Sequence, residues 1–147
     1  MSKTIISEKL GVAVDMLKTG NYTLTLMHND FTYTSEERGV KPLLSLIEER
    51  GKVDGAVAAD KVIGKAAAML YVKLGVSEVY ADVISTPAIA VLKDAGISVA
   101  FALETEAIRN RRGDGFCPME SAVMNISDAD DAITAIYETL KRLNSQK

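Results

Sequence analysis

The chain of 147 residues has one cysteine, one histidine, three prolines and no tryptophan. The lone Cys117 excludes an internal disulfide and suits a reducing compartment. With His28 as the single histidine, the chain also cannot build an all-cysteine zinc site, a paired Cys/His site or the His/Cys/Cys set of zinc deaminases. A metal shared by His28, Asp60 and Cys117 has no spacing signature behind it, so no metal or cofactor is expected. Apolar runs of the roughly 20 residues that span a bilayer are absent, and Met1 to Glu8 lacks a signal-peptide core. A cytoplasmic protein without a membrane partner is therefore expected. Basic residues are in deficit, 17 Lys and Arg against 20 Asp and Glu, a net charge of −3. That balance argues against nucleic acid as a partner, because phosphate neutralisation needs an excess of positive charge on some face.

What is present is the mix of one globular domain: 48% apolar and 25% charged residues, undivided by any linker or repeat over 1–147. From Ser7 to Lys18 an apolar stripe ends at Gly20, predicting a helix with a glycine cap. Tyr22 to Met27 and Phe31 to Thr34 alternate around His28-Asn29-Asp30 and predict a β-hairpin. Lys41-Pro42 to Arg50, followed by Gly51, predicts a second helix. Gly55 to Ala59 is predicted as a buried strand running straight into a helix that begins at Asp60. A strand at Val76 to Ala81, a helix capped by Thr86-Pro87 and ending at Asp94, and a strand at Ile97 to Leu103 continue the alternation. A polar connection from Glu104 to Phe116 leads to a short helix from Pro118 and an amphipathic helix over Ser127 to Leu143. The pattern predicts a three-layer αβα sandwich whose mixed sheet combines parallel strands with an N-terminal antiparallel hairpin.

Ligands of such sheets bind where strands end and helices begin, because helix N-termini present free N–H donors. Two starts carry reactive groups. At the first, Asp60 is either a helix cap or a general base, with Lys61 as an anion contact; Gly64, unfavourable in a helix by roughly 1 kcal/mol, points to close packing or a close ligand. At the second, Cys117-Pro118-Met119-Glu120 puts a thiol in the cap position, with Glu120 placed to reach back to the cap's own N–H. A thiol there is either a nucleophile favoured by the helix terminus or an inert packed group. Arg109, Asn110 and Arg111 upstream, and Lys41 at the second helix, complete the candidate substrate contacts. The resulting expectation is a zinc-independent enzyme acting on a small anionic or nucleotide-like molecule through Cys117, Asp60 and Glu120. The alternative is a non-catalytic domain that binds or senses a small ligand.

Three runs, Arg38-Gly39-Val40-Lys41-Pro42-Leu43-Leu44, Ala59-Asp60-Lys61-Val62-Ile63-Gly64-Lys65-Ala66-Ala67, and Asn110-Arg111 with Gly115-Phe116-Cys117-Pro118-Met119-Glu120, together resemble the domain of unknown function 1893 family. The resemblance implies a cytidine-deaminase-like three-layer fold and a homo-oligomer. In that setting a His-x-Glu segment would fall near Gly39 to Lys41 and a Pro-Cys-x-x-Cys segment near Asp60. Neither segment is in the sequence, which speaks against zinc-activated water as the reagent.

Overall fold

A computed structural model describes residues 7–29, 31–37, 39–108 and 117–145. Helix α1 (Glu8–Thr19) starts where the Ser7 hydroxyl accepts the Leu10 N–H at 3.1 Å, satisfying one of the donors that the first turn leaves unpaired. The hairpin follows as β1 (Leu24–His28) and β2 (Phe31–Ser35), and then come α2 (Lys41–Arg50), β3 (Val57–Ile63) and α3 (Lys65–Leu74). The chain continues through β4 (Glu78–Ser85), α4 (Thr86–Asp94), β5 (Ser98–Thr105), α5 (Pro118–Val123) and α6 (Ala129–Ser145).

The five strands form one sheet in the order β2-β1-β3-β4-β5. β1 is antiparallel to both β2 and β3, whereas β3, β4 and β5 run parallel. The sheet is mixed, with the hairpin at one edge, as the alternation predicted. Among the described residues, no helix is long and apolar enough to cross a membrane.

Helices cover both faces, and β3 shows why its first residues are apolar throughout. Successive side chains of a strand point to opposite faces. Val57 and Ala59 meet Leu10, Ala13 and Leu17 of α1, while Ala58 joins the larger core built with α2 to α6. That larger core takes Leu43 and Leu46 from α2, Leu70 and Leu74 from α3, and Leu92 from α4, all buried.

The boundary between β3 and α3 departs from expectation. Strand pairing does not stop at Ala59 but continues to Ile63, which pairs with Ile84 of β4. Asp60 is therefore a strand residue aligned with Leu24 and Ala81, not a helix cap, and the cap position belongs to Gly64. β-branched Val62 and Ile63 favour the extended backbone, and the Lys61 N–H donates to the Thr23 carbonyl at 3.0 Å, fixing the strand to the hairpin. β4 likewise runs on to Ser85, whose buried hydroxyl accepts the Ala88 N–H; Ser85, not Thr86, caps α4. Pro87 occupies the first turn as expected.

Candidate functional site

Asp60 shares the strand face of Ala58 and so points toward α3. Its Oδ2 accepts the Tyr71 hydroxyl at 2.7 Å, and its Oδ1 accepts the Val62 N–H at 3.3 Å. Tyr71 is fully buried in α3, where a phenol needs a hydrogen-bond partner. Burial raises the Asp60 carboxyl from 3.8 to about 7, against the lowering effect of hydrogen bonds from Tyr71, Val62 and Lys61; the Asp82 carboxylate pushes the same way as burial. Burial also drives the Tyr71 phenol well above its ordinary value, and the neighbouring Asp60 adds to the rise. The pair is thus an acid poised near neutrality and a phenol held as a donor.

Asp60 borders a cleft of about 370 Å³, lined also by Thr23, Leu24, Glu37, Gly39, Pro42, Lys61 and Val62. Gly39 and Val62 are shared with a second cleft of about 320 Å³, whose wall includes Val40, Gly64, Ala66, Ile108, Cys117 and Met119. The Asp60 and Cys117 segments therefore face adjoining clefts with a common wall. Gly39 has φ +83°, a backbone region that favours glycine, and it sets the turn into α2 between the two clefts. Among the described residues no side chain caps the first turn of α2, and Pro42 within that turn carries no N–H.

The start of α3 is different. Glu120 Oε1 accepts the Lys65 N–H at 2.7 Å, and Oε2 accepts the Ala66 N–H at 2.9 Å. A carboxylate from a residue 55 positions away thus occupies the helix terminus that sequence reasoning reserved for a ligand. Gly64 explains how it gets so close, since a Cβ there would lie 2.5 Å from Glu120 Cδ. The other end of α5 is held as well, because Lys65 Nζ donates to the Met124 carbonyl at 3.0 Å. Two charge-assisted hydrogen bonds of this kind are each worth roughly 1.5–3 kcal/mol against an unpaired carboxylate.

Glu120 therefore does not reach back to its own cap. The Cys117 N–H donates instead to the Ile108 carbonyl at 3.1 Å. Cys117 caps α5, is half-buried, and its thiol makes no capping hydrogen bond.

The family model TM1506, domain of unknown function (DUF1893), matches residues 12–140. The chain belongs to this family. No curated protein matches the DUF1893 chain. A crystal structure of a DUF1893 family protein (TM1506) from Thermotoga maritima is similar to it with a TM-score of 0.84 at 23% identity, over 94% of this chain and 95% of that one. At that identity the likeness establishes the fold alone: a mixed, open five-stranded sheet layered between helices.

The structure brings some candidates of the DUF1893 chain together and separates others. Asp60 and Lys61 line the first cleft, and Gly64, Cys117 and Glu120 the second. Lys41 is the exposed first residue of α2. Arg109, Asn110 and Arg111 lie outside the described residues. His28 is away from both clefts, its Nε2–H donating to the Asp54 carbonyl at 2.9 Å. Among the described residues no three His, Cys, Asp or Glu side chains converge as metal ligands. The zinc of a deaminase-like setting does not fit this donor set: the starts of α2 and α3 offer Val40, Lys41, Gly64 and Lys65, and both Glu120 oxygens are engaged.

Sequence reasoning missed Tyr71, Glu37 and Val62. A signal for Tyr71 was present, a phenol within the apolar run Ala66 to Leu74, where a hydroxyl cannot stay unpaired.

Proposed function

We propose that the adjoining clefts bind a small molecule and that Asp60 exchanges a proton with it. The observation that carries this reading is a carboxyl held near neutrality by burial at the edge of an open cleft, since a proton carrier works best when its pKa lies near the operating pH. The paired volumes suit a metabolite-sized ligand. Lys61 beside the first cleft, with no side-chain cap on the start of α2 among the described residues, supports an anionic group on that ligand. Asp60 and Glu37, which line the same cleft, support a polar, nitrogen-bearing head on it. A small anionic or nucleotide-like molecule meets both demands.

Catalysis through Cys117 and non-catalytic sensing remain the two uses of such a site, and one experiment separates them. Backbone resonances are followed while nucleoside monophosphates and small carboxylates are titrated into the wild-type chain, Asp60→Asn and Cys117→Ser. Binding that shifts Gly39, Asp60 and Val62, and that loses its pH dependence near 7 in Asp60→Asn, supports the site. Ligand turnover abolished by Cys117→Ser assigns an enzyme, and unchanged affinity without turnover assigns a sensor. The reading fails if none of these ligands moves those three resonances.

A further inference from the structure

The sheet has two edges, and they are built differently. β2 alternates Phe31 and Tyr33 with Thr32 and Thr34, the two aromatic residues packed against the larger core. Its aromatic side chains have cover. β5 has none for its middle among the described residues: Phe101, Ala102, Leu103 and Glu104 are consecutive exposed residues, with Phe101 40% and Leu103 59% exposed. Exposed edges are ordinarily guarded by lysine, proline, a bulge or brevity. Ser98–Thr105 is eight residues long and contains neither Lys nor Pro.

Its sequence is also self-complementary. Val99-Ala100-Phe101-Ala102-Leu103 is an apolar palindrome in size, large-small-large-small-large, centred on Phe101. A two-fold axis perpendicular to the sheet at Phe101 would run two copies of β5 antiparallel with their faces preserved, so that directly opposed residues share a face. Phe101 then meets Phe101, Val99 meets Leu103 twice, and Ala100 meets Ala102 twice. Glu104, the one charged residue of the strand, meets the Ser98 hydroxyl and not its own copy. Within its own chain Glu104 already accepts the Thr86 hydroxyl at 2.8 Å. A parallel arrangement would oppose Glu104 to Glu104, and like charges directly opposite are destabilising.

We propose that β5 is a self-association edge, pairing antiparallel with β5 of a second copy about Phe101 to make one continuous ten-stranded sheet. Hydrogen bonds along the edge and the aromatic and aliphatic cross-strand pairs supply the contact, and the position of Glu104 sets the direction.

Sedimentation equilibrium of the full chain tests this. The wild type is expected at twice 15.8 kDa, and Leu103→Lys at 15.8 kDa with an unchanged far-ultraviolet circular dichroism spectrum. In a Cys117→Ser background, Ser98→Cys with Glu104→Cys is expected to oxidise to a reducible dimer, because opposed residues of an antiparallel pair lie within disulfide reach. A wild type at 15.8 kDa throughout its concentration range overturns the proposal and leaves the edge to a foreign strand. A dimer that Leu103→Lys leaves intact, or one that the double cysteine variant fails to cross-link, overturns it equally.

Discussion

The Asp60–Tyr71 pair implies that this protein loses stability as pH rises through the slightly acidic range, the opposite of what an ordinary paired carboxylate does. A carboxyl whose folded value is raised binds its proton more tightly when folded than when unfolded. Between 3.8 and about 7 the folded state therefore carries the extra proton, and stability must fall with pH across that window and level off above it. At about 1.4 kcal/mol per pH unit, full ionisation costs on the order of 4 kcal/mol. That is a large share of the 5–15 kcal/mol typical of a domain. Asp60→Asn removes the titration while keeping an oxygen for Tyr71. Urea unfolding of both proteins at intervals from pH 4 to 8 reads the effect as a difference between two curves, so that groups common to both cancel. The wild type is expected to fall relative to Asp60→Asn by about 3–4 kcal/mol, with most of the change complete by neutrality. Parallel curves, or a wild type that gains stability with pH, would refute the reasoning.

Two further substitutions probe the same framework. Tyr71→Phe removes the hydrogen bond that lowers the Asp60 value, so the window should extend above 7; the unpaired carboxyl should cost about 1–3 kcal/mol, most at high pH, measured by the same unfolding series. Gly64→Ala places a Cβ against the Glu120 carboxylate and should destabilise by roughly 1–3 kcal/mol. Glu120→Ala should lose the cap by a similar amount, and the double variant should cost clearly less than the two singles together, because one substitution has already released what the other disrupts; additive losses would separate the two residues.

Much of the architecture was legible because its signals are local. The stripe of Leu10 and Leu17 before Gly20, the alternation on either side of His28-Asn29, and Lys41-Pro42 with Gly51 each reflect a period or cap that a short window contains. The misread boundary at Asp60 has a tertiary cause. An acidic residue followed by lysine looks like a cap in one dimension, whereas Tyr71, reaching down from the helix behind, and the Val62 N–H partner it in the strand. Charged residues are otherwise poor strand formers, so the local rule failed at a position whose pKa the fold raises to about 7.

Glu120 teaches the complementary lesson. Its spacing from Cys117 fits a local cap, and nothing nearby in the sequence indicates that its carboxylate is drawn to a helix 55 residues earlier. What makes the longer connection favourable is the absence of a side chain at Gly64, which leaves two α3 donors uncovered at the place α5 packs. The glycine read as room for a ligand is room for the protein's own anion. The consequence reaches the clefts: with the α3 terminus filled, Lys61 lines the first cleft as a cation beside Asp60, whose carboxyl burial raises to about 7. Asp60 and Cys117 accordingly line adjoining clefts, and Glu120 ties the helix that Cys117 caps to the start of α3, a carboxylate that serves the fold.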